Sequence, residues 1–319
     1  MDEVKIAKFM MKKFAAFPTS PQIEVGQLQE VFLHSIFLNG SQSERQFIMR
    51  KSSESSYSSE TSYAWDHYFG QDLSPFLSGK TVLDLGCFNG GRSVAWFEKY
   101  KLNYLVGIDI DQVYLEAATQ FSSSRKIRSD FASANGGFLP FGDGTFDAIL
   151  SFEVFEHVQD IQRTLTECYR VLKTDGRLYI VFPGYFHPNA HHLSLVTTAP
   201  CLNSLFSGKI LVQAYYDILT ERGSEAFWYR RHSPKLEPWE KSNTINGTTS
   251  ARFRRLLRNN NWKIILHSRK PIGSIGRNAS KSRLLVLLSS LFYPLTFIIF
   301  LQEFFLHRIT YVLEKKNSA

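Results

Sequence analysis

Two acids that each close an apolar run, with glycines between them, are the residues whose types and spacing most directly describe a binding site. The run Val82-Leu83-Asp84-Leu85-Gly86-Cys87-Phe88-Asn89-Gly90-Gly91 reads as a strand, a tight turn and the start of a helix. Gly86, Gly90 and Gly91 lack the Cβ that would clash at positive φ or against a ligand, so the backbone can bend sharply and approach a bound molecule. Such a turn after a strand suggests a nucleotide site. A second run, Tyr104 to Asp109, again ends in an acid, and Asp109 lies 19 residues beyond Gly90. That is close to the distance at which an acid after the second strand accepts hydrogen bonds from ribose hydroxyls, and Ile110 beside it could pack on a base. The dinucleotide spacing G-x-G-x-x-G would need glycine where Phe88 stands. Asp84 would repel a pyrophosphate but suits a cationic ligand.

The second set of reactive side chains follows a later strand, in Glu153-Val154-Phe155-Glu156-His157, with His187, His191 and His192 after the next strand. An imidazole titrates near neutrality and suits proton transfer. His157, Glu156 and His187 are therefore the candidate catalytic residues, and the alternative for each is an ordinary structural role.

The elements that must position these groups alternate. Strands at 81–86, 104–109, Lys126 to Asp130, Phe146 to Ser151 and Arg177 to Phe182 are separated by helices near 91–100 and 160–173. This pattern predicts a parallel sheet with helices on both faces. Gly176 is a candidate C-cap for the helix 160–173. Thr248 or Thr249 is placed to cap a helix at 250–259, followed by a sixth strand from Trp262 to His267. Residues 1–17 read as an amphipathic helix, and the serine-rich 51–63 as a linker or a loop that orders on ligand binding.

At 319 residues, 44% hydrophobic and 21% charged, the chain can bury a large core and has the composition of a soluble globular protein. Cys87, Cys168 and Cys201 have no C-x-x-C spacing, so neither a disulfide framework nor a zinc site is implied, and a reducing, cytoplasmic compartment fits. No apolar run near the amino terminus reaches signal-peptide length. The net charge of +8 is uneven: residues 251–319 hold 13 Lys/Arg and 2 Glu, a balance of +11, which leaves −3 for residues 1–250. Such a basic region suits anionic lipid or nucleic acid.

The stretch Asp84-x-Gly86-x-x-x-Gly90 resembles motif I of the class I S-adenosylmethionine-dependent methyltransferases, with Phe88 in place of the middle glycine. Leu139-Pro140-Phe141, the turn at Gly142 to Gly144, Phe146 to Ser151, and Arg170 to Gly176 resemble later motifs of that family in the expected order, so the likeness covers about 82–182. It implies a Rossmann-like, doubly wound, mainly parallel seven-stranded sheet with an antiparallel last strand and helical insertions. It also implies S-adenosylmethionine as cofactor, held by Asp84, Gly86, Gly90, Asp109, Ile110, Asp130, Phe131 and Ser151. Asp130-Phe131 would meet the adenine edge. Glu153-x-x-Glu156-His157 is similar to the metal-associated segment of ubiquinone-biosynthesis O-methyltransferases, so a divalent metal, with His187 as a further ligand, is a subsidiary expectation.

On this reading residues 1–62 are an N-terminal helical region and linker, and 63–183 the cofactor-binding core. Residues 184–250 are an acceptor-recognition insertion, and 251–319 complete the sheet, with Arg308 to Lys315 as last strand and an apolar insertion at about 281–306. The 18 uncharged residues 284–301 have transmembrane length, but a single crossing would put neighbouring strands on opposite sides of a bilayer. A lid, or a helical element lying on a membrane beside Arg277, Lys281 and Arg283, is the expectation; contact with the protein's own core or a second chain is the alternative. The leading function is methyl transfer, O-directed, to a small, saccharide or lipid-linked acceptor. An RNA methyltransferase is the alternative from the basic C-terminal region, although no RNA-binding module is recognisable. A nicotinamide-dependent oxidoreductase and a non-catalytic, membrane-associated binding protein complete the alternatives.

Overall fold

A computed structural model describes residues 2–15, 42–63, 65–188, 190, 193, 196–221, 246–258, 261–274, 282–299 and 301–316. His191, His192 and the aromatic residues of 222–245 lie outside the described residues.

In chain order the elements are helices α1 (Glu3–Lys13), α2 (Gln42–Ser62), α3 (Asp66–Phe69) and α4 (Ser74–Leu77), strand β1 (Thr81–Leu85), α5 (Gly91–Tyr100), β2 (Tyr104–Asp109), α6 (Gln112–Ser124), β3 (Ser129–Ser133), β4 (Phe146–Phe152), α7 (Ile161–Val171) and β5 (Leu172–Phe182). Then come α8 (Leu202–Leu205), α9 (Gly208–Glu221), α10 (Ser250–Arg258), β6 (Trp262–Ser268), α11 (Arg283–Ser290), a 3-10 turn at Pro294–Phe297, α12 (Gln302–Phe305) and β7 (Ile309–Lys315). The strands form one seven-stranded sheet, β3-β2-β1-β4-β5-β7-β6. β1 to β5 pair in parallel, and β7 runs antiparallel to both β5 and β6.

Both faces of the sheet are covered, which is why its central strands are continuously apolar. Leu83, Ile149, Ile180 and Leu313 pack under α7 and α10 on one side. Val82, Leu105, Leu150 and Val312 pack with Trp65, Trp96 and Tyr100 on the other. Each fully buried aliphatic side chain contributes about 1.5–3 kcal/mol. A separate cluster joins Ala7 and Met11 of α1 to Leu211, Ala214 and Ile218 of α9, so α1 packs with the insertion after β5. Asp2 caps α1 by accepting a hydrogen bond from the Val4 N–H.

The structure changes several sequence expectations. The serine-rich 51–62 is no linker: it is the second half of α2, docked on the glycine loop. β3 begins at Ser129, not Lys126. Gly176 does not cap a helix, because α7 passes directly into β5 at Leu172 and Gly176 lies in a bulged excursion of that strand. Thr249 does cap α10, its Oγ1 accepting from the Arg252 N–H at 3.1 Å. Among the described residues no helix is long and apolar enough to cross a membrane.

Candidate active site

The loop after β1 carries positive φ at Gly86 (81°), Phe88 (50°) and Gly90 (71°). Gly86 and Cys87 donate their N–H groups to the Ile108 carbonyl, which ties the loop to the neighbouring strand tip. Phe88 adopts the left-handed backbone that the family pattern reserves for glycine, at a cost of order 1 kcal/mol. Two contacts offset this: its N–H donates to Asp109 Oδ2 at 3.0 Å, and its ring lies 4.0 Å from that of Tyr114. Asp109 Oδ1 accepts from the Asp111 N–H at 3.1 Å, so one carboxylate braces the loop and the start of α6. Burial raises the pKa of Asp109 and these backbone hydrogen bonds oppose the rise. Ile110, next in the chain, is 75% exposed, an apolar side chain standing free at the rim.

Asp84 is placed differently. It is 3% exposed, and Ser93 of α5 donates to its Oδ2 at 2.5 Å. Burial pushes its pKa up to about 7, against the opposing pull of the Ser93 hydroxyl and the Arg92 charge. A Cβ on Gly86 would fall 2.3 Å from Val154, so that side chain lies directly on the loop. The two acids therefore do not face one open hollow: Asp109 is at the rim and Asp84 is sealed beneath.

α2 closes the other side of the loop. Ser53 donates to the Asn89 carbonyl at 2.8 Å, and the Asn89 amide donates to Ser52 and Ser56. A Cβ on Gly91 would meet the Ser53 carbonyl at 2.1 Å. The small serines are what let a helix approach this closely. Their spacing is legible in the sequence as Ser52, Ser53 and Ser56, one helical face, although the same composition read as a linker.

The register of β3 displaces one expectation. Ser133 pairs with Asp109 at the strand tips, which puts Asp130 three residues, about 10 Å, back along the strand. Asp130 takes the Tyr104 hydroxyl instead. Phe131 packs against Gly107 and lines a shallow groove with Leu115 and Thr119. The residues at the tip are Ala134, whose N–H donates to the Asp109 carbonyl, and Asn135, whose side chain accepts from Gly137. Ser151 is fully buried within β4, and its hydroxyl has no protein partner.

Beyond β4 the chain turns through Glu153, whose φ of 59° is a second non-glycine left-handed residue. Glu153 Oε1 accepts from Arg308 Nε at 2.6 Å. Arg308 Nη1 stands 3.4 Å from His187 Nε2. A guanidinium only donates, so in this contact Nε2 supplies its lone pair and His187 acts as acceptor. Glu156 is buried with both carboxyl oxygens free of hydrogen bonds, and burial with the Glu153 charge beside it raises its pKa well above the usual carboxylate range. His157, whose side chain is 38% exposed, has Nε2 at 3.9 Å from Glu156 Oε1. Tyr68, pushed up to about 12 by burial, packs against Phe152 and His307. Asn246 clamps this loop, donating to the carbonyls of Phe155, Glu156 and Val158.

Residues 83–180 match the methyltransferase domain family. The demethylmenaquinone methyltransferase of Thermus thermophilus is 33% identical over 113 residues, covering 35% of this chain and 51% of that protein. An O-methyltransferase of Aspergillus nomiae is 33% identical over 113 residues, 35% of this chain and 49% of its own length. Residues 83–180 are a class I S-adenosylmethionine-dependent methyltransferase domain. The chain spans about half the length of these relatives. The fold agrees with that of a chain from the complex between the Haloferax volcanii Trm112 methyltransferase activator and a methyltransferase, at a TM-score of 0.50 and 15% identity over 91% of this chain and 100% of that one.

The methyltransferase domain fits its cofactor at the rim, where Asp109, the exposed Ile110 and the Ala134–Asn135 tip surround the braced loop. It does not fit a divalent metal. The Arg308 guanidinium occupies the corner between Glu153 and His187, and among the described residues no group of three or more His, Cys, Asp and Glu side chains converges. The E-x-x-E-H spacing puts Glu153 against a cation that the protein itself supplies. Arg308, brought 155 residues along the chain to this corner, is the site residue that sequence reading missed. Its only signal was an arginine just ahead of the last strand, before Ile309 and the apolar Tyr311 to Leu313.

Proposed function

We propose that this protein transfers the methyl group of S-adenosylmethionine to a hydroxyl of a small, saccharide or lipid-linked acceptor. The observation that carries the reading is the Asp109 carboxylate bracing the Phe88 N–H at the rim of the loop, with Ile110 exposed beside it. Asp109 would take the ribose hydroxyls, Ile110 the adenine face, and Asn135 the adenine edge expected earlier of Asp130. Gly86 and Gly90, whose Cβ positions are taken up by Val154 and Ala118, let the loop follow the positive-φ path that would lie against the bound amino acid. Asp84, lying under the loop, would attract its positive charge. The cofactor supplies an electrophilic methyl, so the protein's task is alignment and proton removal.

The acceptor mouth lies at the carboxyl ends of β4 and β5, where ligands of open α/β sheets bind. His157, the exposed imidazole, would take the acceptor's hydroxyl proton while the oxygen bonds to the methyl carbon and the sulfur keeps the S–C electron pair. Glu156, whose Oε1 lies 3.9 Å from His157 Nε2, would orient that imidazole. His187, held by Arg308, would position the mouth and leave the proton transfer to His157. Peripheral contact with a membrane belongs to the same proposal.

Calorimetry with S-adenosylmethionine, S-adenosylhomocysteine and NADH tests the cofactor class. The first two bind, Asp109→Ala weakens both by about tenfold or more, the loss of a charge-assisted hydrogen bond, and NADH gives no heat. Binding of NADH alone would sink the reading in favour of an oxidoreductase.

A further inference from the structure

The segment from Arg283 to Phe305 is built inside out. Among its described residues the buried side chains are the polar Ser289, Thr296, Gln302 and Glu303, while Leu287 is 68% and Leu291 72% exposed. Leu284, Phe297 and Ile299 are exposed as well. An amphipathic helix on a core shows the reverse arrangement, and contiguous exposed apolar surface of this kind marks an interaction site.

The polar inner face is anchored, so this outward display is a fixed feature. Glu303 accepts from the N–H groups of Ser250 (2.6 Å) and Phe186 (3.1 Å), pinning the segment to α10 and to the loop after β5. Arg269 donates to the Thr296 carbonyl at 2.8 Å, and its guanidinium lies 4.8 Å from the Phe297 ring. The chain then runs from α12 through Leu306 into Arg308 of the mouth, and Phe304 stacks near Phe186, next to His187. The carboxyl end of the apolar segment therefore borders the acceptor mouth.

We propose that this face docks on an anionic bilayer and holds the mouth at its surface, so that the acceptor is a lipid-borne hydroxyl. Charge decides the occupant. The exposed Arg283 opens α11 at the margin of the face, Arg269 stacks on it, and residues 251–319 carry +11 overall. A basic margin attracts anionic headgroups while Leu and Phe enter the acyl boundary. In an isologous dimer the same margin would meet itself. As a helix α11 is also too short to span: its eight residues measure about 12 Å at 1.5 Å each, against a hydrocarbon layer of about 30 Å. The lipid-borne acceptor rests on the methyl-transfer reading; the docking does not.

Co-flotation of the full chain with vesicles of phosphatidylcholine, alone or mixed with phosphatidylglycerol, tests this. The protein floats with the mixed vesicles, and Leu287→Glu/Leu291→Glu reduces the bound fraction about tenfold or more through lost apolar insertion. Arg283→Glu and added salt weaken it less. Both leucines are exposed, so melting temperature and S-adenosylmethionine titration stay unchanged in the double variant. Absence of flotation, or flotation indifferent to the double variant, overturns the proposal. So does a concentration-dependent dimer that the double variant dissolves without any vesicle binding, since a second copy would then cover the face. Flotation by a protein that binds no S-adenosylmethionine would leave the docking intact and remove the methyl-transfer reading.

Discussion

Arg308 donates its Nε–H to Glu153 Oε1 across 2.6 Å, joining the residue that opens the last strand to the residue that leaves β4. The Arg308 side chain is 21% exposed and that of Glu153 29%, so the pair is mostly shielded from water. Burial alone would lower the pKa of Arg308; the Glu153 carboxylate, together with Tyr68 and Glu156, outweighs it and raises the pKa.

Removing the cation leaves the Glu153 carboxylate without its counter-charge, beside the buried Glu156. Arg308→Gln is expected to destabilise the protein by about 3 kcal/mol, the lower end for breaking a buried pair because this one is partly exposed. The double variant Arg308→Met/Glu153→Met should lose less than the sum of the singles. Urea denaturation measures both; additive losses would show that the two groups do not interact.

Asp84 gives a pH dependence of defined sign. Its pKa is about 7 in the folded protein against an ordinary 3.8. Between about pH 4 and 7 the unfolded chain binds fewer protons at this position, so stability falls as pH rises through that window, by up to about 4 kcal/mol. Asp84→Asn should therefore be more stable than wild type at pH 8 and not at pH 4, while binding S-adenosylmethionine at least about tenfold more weakly. A positive ligand draws the proton off Asp84, so binding at pH 6 should release protons, seen as a buffer-dependent enthalpy. A variant that melts lower at both pH values would refute the burial argument.

His267 acts in the opposite direction. It stacks on Tyr311 with ring centroids 4.2 Å apart, and burial, then the Arg269 and Arg254 charges, bring its pKa down to about 3. The neutral ring stabilises the fold above about pH 6.5, and that contribution is lost as pH falls from there toward 3. His267→Phe should flatten the decline in melting temperature over this range. An unchanged slope would show that His267 is not the titrating group.

Gly91→Ala separates helix propensity from docking. Alanine in α5 should gain up to about 1 kcal/mol over glycine. The added Cβ would instead meet the Ser53 carbonyl at 2.1 Å, backbone that cannot swing aside. The expected net effect is a loss of about 1–3 kcal/mol, the usual cost of overpacking. Faster proteolysis within residues 42–62 would accompany it; equal or greater stability would show that α2 is not seated on the loop.

The sequence by itself determined the order and type of the strands and the glycine loop with Asp109 at its rim. These rest on local patterns: apolar runs closed by acids, and turns that need glycine. It also carried the family, because the motifs recur in order along 82–182. Tertiary structure decided what depends on register and distance. A three-residue shift in β3 moved Asp130 from the tip and put Asn135 there. Packing turned serines into a helix face at Asn89, sealed Asp84 under Ser93, and set Arg308 against Glu153 where a metal had been entertained. Local sequence encodes backbone preference, whereas burial and charge pairing arise only when distant segments meet, so a buried acid and a surface acid read alike until the fold brings their neighbours.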